Sequence, residues 1–460
     1  MTPRPHRYLS LADSLADALR SGRYRPGDRL PSVRDLCSAH GASLATVTHA
    51  LHRLEDDGWI EARPRRGFFV RARQDGPPPP APASAALPLE ARRQRLMALA
   101  ASQPGRVSLG HLALPPSLLP LKALRRLLAA QLNDGPGALA SGSVFGSEAL
   151  RAQFARRLAR AGAPVNADDV VVTYGDGESL QLCLSLLTQP GDRVAVASPG
   201  SLRVPEVLAA AGLQAVEWPA SLAGLDDFLA RERPACCVVD LGLFCAAAGP
   251  LDDAGKEALV RTLAARQVPL IEFDLLGELH RGATRARPLK AFDADDQVLY
   301  CGSLACITGV GFTAGFVASG RHRLRLRAAR SVHGELFPHL TDQVLATFLA
   351  SDGFDTHLRS LRLRLQRQVA AWTRAVQQHF PPGTQVSAGD AGHVLWVTLP
   401  GGLCATELLE TAWDAGCTFP PGAVFSPAGR FEHCLRLTAG HPLDGVRLAG
   451  LRRLGEAAAS

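Results

Sequence analysis

The sequence predicts an α/β protein made of a small basic N-terminal domain, a proline-rich linker and a large domain with a mostly parallel sheet. Three observations support this arrangement. Residues 1–73 carry apolar positions at helical spacing, residues 74–88 are rich in proline and alanine, and seven short apolar strands alternate with helical stretches over much of 89–460. Such alternation is typical of a parallel sheet covered by helices on both faces.

The positive charge of the chain is concentrated at its N-terminus. The 460 residues carry a net charge of +7, and residues 1–73 contribute +5 of it, from 13 arginines against 8 aspartates and glutamates. The chain is long enough for two or three domains. A basic domain joined to a nearly neutral one indicates a polyanionic partner for the first domain.

Composition argues against several classes of protein. No run of about 18 apolar residues is present, so we expect no membrane span. The first residues contain Asp13 and lack an apolar core, which argues against a secretory signal. The ten cysteines lack the spacing of metal ligands, so we expect reduced thiols, no metal and a cytoplasmic location.

The first 73 residues predict a winged helix-turn-helix. Leucines at positions 11, 15 and 19 mark a first helix, and Ser32 with Asp35 forms a capping box that starts a second. Ser43 is expected to cap a third helix, and residues 59–70 form a basic hairpin around a turn at Pro64. Three short helices followed by a basic hairpin place the third helix in a major groove.

Residues 26–70, PGDRLPSVRDLCSAHGASLATVTHALHRLEDDGWIEARPRRGFFV, resemble the GntR-type DNA-binding domain over nearly all its length. The third helix and the wing are expected to supply the contacts to double-stranded DNA. The expected contact residues are Ser32, Arg34, Ser43, Thr46, Thr48, His49, Arg63, Arg65 and Gly67. For Ser32 and Ser43 the alternative is helix capping alone, and for His49 it is an exposed, solvated ring.

The large domain resembles the aminotransferase fold over roughly residues 105–455. Long amphipathic helices are expected between 323 and 380, and a small α+β subdomain from about residue 385. The predicted strands are Val170–Thr173, Arg193–Ala197, Ala215–Trp218, Cys236–Asp240, Leu270–Asp274, Val298–Cys301 and Gly315–Ala318.

Residues 298–317, VLYCGSLACITGVGFTAGFV, resemble the segment that carries the cofactor lysine in fold-type I pyridoxal-phosphate (PLP) enzymes. The matching residues are Tyr300, Gly302, Ser303, Gly311 and Gly315. The lysine position is Cys306, the phosphate-binding arginine is Thr313, and a hydroxyl residue beside the lysine is Ala305. A cysteine cannot form the internal Schiff base, because that bond needs an amine.

Other positions that contact the cofactor in the family also carry residues that cannot make those contacts. Phe273 stands where an aspartate holds the pyridine nitrogen, Leu276 replaces a tyrosine, and Ala246 replaces an asparagine. Asp176 and Glu178 put negative charge at the helix start that binds the phosphate in the family. We therefore expect no cofactor, although the resemblance implies PLP.

Two side chains of this region have alternative interpretations. Arg436 matches the arginine that holds substrate carboxylates in the family, so it is expected to bind the carboxylate of a ligand, with an internal ion pair as the alternative. Cys306 has no charged neighbours in sequence, which favours an inert thiol over a reactive one.

The order of winged helix, linker and aminotransferase-like domain resembles MocR-type regulators. This resemblance implies a transcriptional regulator, without enzymatic activity, that binds repeated DNA half-sites as a homodimer and whose large domain senses a small-molecule effector. Four alternatives stay open: non-covalent PLP binding, an active PLP-dependent aminotransferase, a different small ligand, and a purely structural dimerisation domain.

Overall fold

The chain divides into two units, residues 1–86 and 87–460. The computed structural model describes residues 7–20, 24, 27–63, 67–70, 89–101, 105–218, 222–249, 251–333 and 335–459. The linker predicted over 74–88 lies outside these residues, and the domain boundaries at 73 and 89 stay predictions. None of the described helices is both long enough and apolar enough to cross a membrane.

The N-terminal unit is the predicted winged helix-turn-helix. Its elements are α1 (Arg7–Arg20), α2 (Val33–His40), α3 (Leu44–Asp56), β1 (Ile60–Arg63) and β2 (Gly67–Val70). The two strands pair antiparallel, with Ile60 opposite Val70 and Arg63 opposite Gly67. Val47, Leu51 and Leu54 of α3 are buried, so one face of this helix packs inside the unit and the other faces outward.

The large unit starts with helices and the strands of its main sheet. Through residue 333 the elements are α4 (Leu89–Ala100), β3 (Val107–Ser108), α5 (Leu121–Asn133), α6 (Glu148–Arg160), β4 (Val170–Thr173), α7 (Asp176–Leu187), β5 (Arg193–Ala197), α8 (Arg203–Ala210), β6 (Gln214–Trp218), α9 (Leu225–Glu232), β7 (Cys236–Asp240), α10 (Leu241–Ala248), α11 (Asp253–Ala265), β8 (Leu270–Asp274), β9 (Val298–Ser303), α12 (Ala305–Thr308), β10 (Gly315–Ala318) and α13 (Arg323–His333).

The rest of the unit contains the long helices and a small antiparallel sheet. Its elements are α14 (His339–Ala350), α15 (Asp352–His379), β11 (Gln385–Ser387), β12 (Val394–Thr398), α16 (Ala405–Asp414), β13 (Cys417–Thr418), β14 (Cys434–Thr438) and α17 (Gly445–Ala459). The order β11-β12-β14 forms the α+β part predicted from about residue 385. Trp372 of α15 is buried and its Nε1 donates to the carbonyl of His441 at 3.0 Å.

The main sheet has seven strands in the order β4-β10-β9-β8-β7-β5-β6. The five strands from β9 to β6 run parallel, and β10 is antiparallel to both of its neighbours. The prediction of a mostly parallel sheet is confirmed. Both faces of the sheet are covered by apolar clusters, which explains why its strands are almost continuously apolar in sequence.

Two predicted strand ends differ from the structure by one or two residues. β6 begins at Gln214 instead of Ala215, and β9 extends to Ser303 instead of ending at Cys301. The extension of β9 follows from its pairing with β10, where Gly315 lies opposite Ser303 and Phe316 opposite Gly302.

β10 brings its first residue against the start of α7. A Cβ atom on Gly315 would lie 2.6 Å from the Thr173 hydroxyl and 2.7 Å from the backbone of Gly175. Only glycine fits at such a distance without moving the neighbouring backbone. This contact fixes the end of β4 and the first turn of α7 beside the loop that carries Cys306.

We expect the substitution Gly315→Ala to lower the free energy of unfolding by about 2–3 kcal/mol, because the added methyl group overlaps rigid backbone. Gly311→Ala is the matched control, since a Cβ atom there meets nothing within 4 Å. It is expected to change stability by about 0.5 kcal/mol or less. Urea unfolding of both variants checks the prediction, and equal stabilities would contradict it.

Candidate functional site

Two helix starts of the N-terminal unit carry hydroxyl side chains. The Ser32 hydroxyl accepts from the Asp35 N–H at 3.3 Å, and the Asp35 carboxylate accepts from the Ser32 N–H at 3.1 Å, which completes the predicted capping box. The Ser32 hydroxyl also donates to the Asp35 carboxylate at 2.6 Å, and this bond, with the one from the Ser32 N–H, holds the pKa of Asp35 below its usual value. Ser43 accepts from the Thr46 N–H at 3.3 Å, so both serines are helix caps and both are exposed.

The outer face of α2 and α3 contains the remaining helical residues of the predicted interface. Arg34 and His49 are exposed, and Thr46 and Thr48 are half-buried. The ring of His49 packs edge-on against Tyr8 with centroids 5.8 Å apart, so it is held by α1 while it remains accessible. These side chains lie opposite the buried face of α3, where a major groove would be contacted.

Of the two wing arginines predicted to contact DNA, the structure describes one, Arg63. Arg63 forms an ion pair with Glu61 at 2.7 Å and lies 4.5 Å above the Phe69 ring. Gly67 has a φ of +97°, and a Cβ atom there would lie 3.2 Å from Nε of Arg29. Arg65 lies outside the described residues, so its contribution stays a prediction.

Sequence reasoning missed two exposed residues on this unit. Arg29 bridges to the wing strand at Phe69 and adds a cation beside it. Leu44, the first residue of α3, is 64% exposed. The sequence signal for Leu44 was its position directly after the Ser43 cap. That position lies at the tip of the helix expected in the groove, where an apolar side chain can contact a thymine methyl group.

The thiol at the lysine position lies within electrostatic reach of two charged side chains, Asp176 and Arg436. Cys306 lies in α12, directly after β9, and is half-buried. Burial raises its pKa to about 12, with Asp176 raising it further and Arg436 lowering it. The thiol is therefore neutral at ordinary pH, and an inert cysteine stays a prediction.

The position of the pyridine-binding aspartate is filled by a buried aromatic ring. Phe273 has no exposed surface and packs in the cluster that includes Cys301 and Val317. The neighbouring Asp274 points to the other face of the sheet, as strand alternation predicts. There its carboxylate accepts from Arg285 Nη2 at 2.6 Å and from the Tyr300 hydroxyl at 3.0 Å.

The other cofactor positions carry either an apolar side chain or a hydroxyl group without a hydrogen-bond partner among the described residues. Leu276 and Ala246 are buried in the largest apolar cluster of the unit, and Ala246 offers only its carbonyl, which accepts from Ser387. Ala305 is half-buried and has no polar side chain. The Thr313 hydroxyl is buried and has no hydrogen-bond partner among the described residues.

Two carboxylates lie at the start of α7, where the family binds the cofactor phosphate. Glu178 accepts from the Tyr174 N–H at 2.7 Å and pairs with the guanidinium of Arg330, whose side chain is only 1% exposed. Asp176 pairs with Arg203 at 3.2 Å. These acids occupy a helix start that would otherwise attract an anion. Sequence reasoning missed Arg330, which lies 152 residues away from Glu178.

The side chains at these positions do not fit PLP. The site offers no amine for a Schiff base at Cys306, no carboxylate for the ring nitrogen at Phe273, and a carboxylate at Asp176 where a phosphate would lie. Among the residues that the structure describes, no group of three His, Cys, Asp or Glu side chains could hold a metal ion.

Arg436 is a buried cation with an open donor. It is 7% exposed, Nη2 donates to the Gly110 carbonyl at 2.9 Å, and the guanidinium lies 4.9 Å above the Phe425 ring. Its Nε has no acceptor, and it forms no ion pair with any described residue. Burial lowers its pKa to about 10. Asp240 acts on this guanidinium electrostatically and raises its pKa against the effect of burial, so the alternative of an internal charge pair stays open.

His393 lies near this arginine and is fully buried. Its Nε2 contacts the Leu112 carbonyl at 2.9 Å, and its Nδ1 has no partner among the described residues. Burial lowers the pKa of His393 to about 4, and the nearby Arg436 contributes in the same direction. The imidazole is thus neutral in the folded protein at neutral pH.

Both units match known families. Residues 7–70 match the family described as bacterial regulatory proteins, gntR family, and residues 115–449 match the aminotransferase class I and II family. The uncharacterised HTH-type transcriptional regulator YdcR of Escherichia coli K12 is 33% identical over 98% of this chain and 98% of its own length. A second E. coli K12 regulator of this kind, YjiR, is 30% identical over 98% of both chains.

The large unit also matches solved aminotransferases. The kynurenine aminotransferase of Pyrococcus horikoshii, solved in complex with PMP, superposes with a TM-score of 0.72 at 20% sequence identity. The match covers 82% of this chain and 96% of that one. At this identity the likeness shows the fold alone.

The buried neutral His393 predicts a pH-dependent stability. Its folded-state pKa of about 4 lies below the unfolded value of 6.5, so the unfolded chain binds more protons between these pH values. Stability should fall as the pH decreases from 7 to 4, by about 3 kcal/mol from this group. His393→Gln keeps a donor for the Leu112 carbonyl and should remove this part of the pH dependence.

Urea unfolding at pH 7 and at pH 4.5 measures the effect. His433→Gln, at an exposed position, is the matched control and should keep the pH dependence of the unmodified protein. A His393→Gln variant with the same pH dependence as His433→Gln would contradict the assignment.

Proposed function

The chain belongs to the GntR-type bacterial regulators whose DNA-binding domain is joined to an aminotransferase class I and II domain, and from this premise we propose that it regulates transcription as a dimer with a non-catalytic, effector-sensing large domain. It is an HTH-type transcriptional regulator of MocR-type architecture. The observation that carries the proposal is the combination of a winged helix with Cys306 at the position that the family resemblance assigns to the Schiff-base lysine. The protein would act in the cytoplasm, where bacterial DNA lies.

The DNA contacts follow from the exposed edge of the winged helix. Ser43 and Thr46 place hydroxyl groups at the start of α3, where base edges and phosphates are reached first. Arg34 adds an exposed cation on α2, and Arg63 is positioned along the wing by Phe69. The proposed interface also includes the predicted residues Ser32, Thr48, His49, Arg65 and Gly67.

The chemistry of the side chains at three positions supports a large unit without catalytic activity. A thiol with a pKa of about 12 cannot replace the lysine amine. A phenylalanine in place of the pyridine aspartate cannot stabilise a protonated ring nitrogen. The acid Asp176 repels a phosphate. Together these changes favour a fold that is retained for regulation over an active aminotransferase or non-covalent PLP binding.

Dimerisation is supported by exposed apolar side chains on the large unit. Tyr174 and Leu336 lie side by side, since the Tyr174 hydroxyl donates to the Leu336 carbonyl at 2.7 Å, and both are more than 40% exposed. Further large apolar side chains are exposed at Leu139, Val310, Leu324 and Val332. Surface of this kind is typical of protein interfaces. A dimer would present two winged helices to repeated half-sites.

An effector with a carboxylate is favoured by Arg436. Its guanidinium is buried, is positioned over Phe425, and has an open Nε donor that no described residue satisfies. A ligand carboxylate would accept the hydrogen bond that this donor lacks. This observation favours a sensing domain over a purely structural one.

DNA binding is tested with Arg34. The substitution Arg34→Ala should weaken binding to DNA from upstream of the protein's own gene by about tenfold and reduce the salt slope by about 1, because one phosphate contact is lost. Arg193→Ala, which removes an exposed arginine of the large unit, is the control and should bind as the unmodified protein does. Fluorescence anisotropy over a range of salt concentrations measures both. Equal loss in the two variants would contradict the interface.

The loss of cofactor chemistry is tested by adding PLP and then borohydride to the purified protein. We expect no yellow species and no reduced adduct on the buried Lys256 or Lys290, as located by mass spectrometry. Cys306→Lys should restore an amine but no transamination, because Phe273 and Asp176 remain. A stable adduct on Lys256 or Lys290 of the unmodified protein, or transamination by the Cys306→Lys variant, would contradict the proposal.

A further inference from the structure

A cavity lies at the carboxyl ends of β7 and β8, on the face of the sheet opposite Phe273. Its volume is about 330 Å³, within the range of small-molecule sites. It is enclosed by α10, α11, the loop 277–288 and residues 390–391, and its lining includes neither Cys306 nor Arg436. Crevices at the carboxyl ends of parallel strands are the usual place for ligands in this class of sheet.

The cavity wall contains a buried ammonium group without a counter-ion. Lys256 of α11 is 5% exposed, and its Nζ donates to the carbonyl of Arg287 at 2.7 Å. An ammonium has three donors, and the described residues supply no second acceptor and no carboxylate for this one. A buried cation in this state is unfavourable unless an anion or a polar ligand joins it.

The other charges around the cavity are already compensated or exposed. Arg285 is held by Asp274 at 2.6 Å and by Glu278 at 3.1 Å, although its buried Nε has no acceptor among the described residues. Arg287 pairs with Asp253 at 3.5 Å and is largely exposed. Asp390 is exposed at the edge. The charged group inside the cavity that lacks a counter-ion among the described residues is therefore the Lys256 ammonium, which is positive.

The remaining wall is apolar. Leu241 and Leu251 line it from the two ends of the α10 segment, with Pro288 and Ala391 on other sides. The thiol of Cys245 also lines the cavity, and burial raises its pKa, so it stays neutral and behaves as a small apolar group. A ligand that fits needs one anionic group and an apolar body.

We propose that this cavity binds a small organic carboxylate, with the carboxylate on the Lys256 ammonium and the apolar body against Leu241 and Leu251. The assignment rests on the proposed sensing role of the large unit and places a ligand apart from Arg436. The loop after β8 is joined to residues 390–392 by two hydrogen bonds, from the Arg281 N–H to the Asp390 carbonyl and from the Gly392 N–H to the Leu279 carbonyl. A ligand in the cavity would contact both of these segments.

Calorimetric titration and thermal unfolding with a fixed panel test the proposal. The panel is butyrate, hexanoate, benzoate and phenylacetate, together with butyramide, benzamide, chloride and inorganic phosphate. We expect at least one organic carboxylate to bind and its neutral amide not to bind. Lys256→Met should weaken that binding by about tenfold or more, because a charge-assisted contact is lost. Lys122→Met, at an exposed lysine, is the matched control and should leave affinity unchanged.

A second variant guards against a misfolded Lys256→Met protein. Ala391→Leu fills the cavity from another wall and keeps the ammonium, so it should also abolish carboxylate binding. Binding that survives in both variants but is lost in Arg436→Met would overturn the assignment in favour of a site at Arg436. Binding of chloride or phosphate as tight as that of the organic acids, or no binding by the whole panel, would also overturn it. DNA binding by the same preparations shows separately whether the regulatory proposal holds.

Discussion

The contact between Gly315 and Gly175 is the constraint on which the large unit depends most. It lets β10 insert antiparallel between β4 and β9, and it brings the first turn of α7 beside the loop after β9. Those two segments, with the end of β8, form the place where an aminotransferase holds its cofactor. The geometry of that place is preserved here by backbone packing, which is independent of the chemistry of the side chains in it.

The side chains in this place pack into the core and pair with one another, which fits a structural role better than a cofactor. Phe273 adds an aromatic ring to the core at a position where a charged group would have to be desolvated. Glu178 and Arg330 form an internal ion pair at the helix start that an external phosphate would otherwise occupy. Arg436 keeps a buried Nε that has no acceptor among the described residues, as does the Thr313 hydroxyl. The residues at these positions therefore do not fit the cofactor, and the proposed carboxylate contact depends on Arg436.

Much of the fold could be predicted from sequence, for a physical reason. Strands buried on both faces are continuous apolar runs, so five of the seven main strands have the predicted ends. The caps at Ser32 and Ser43 depend on residues three positions apart and were also predictable. The pairing of Arg330 with Glu178 and the setting of Lys256 could not be predicted, because each depends on segments that meet only in the folded chain.

The burial of Lys256 has a consequence for how the protein meets reactive carbonyl compounds. The chain has only three lysines, and of these Lys256 and Lys290 are buried while Lys122 is exposed on α5. Arginine supplies nearly all the other positive charge, and a guanidinium does not form Schiff bases. At the surface of the protein, free aldehydes, PLP among them, therefore meet one exposed lysine side chain, that of Lys122. The fold of an aldehyde-dependent enzyme is here combined with a surface that offers aldehydes few lysine amines.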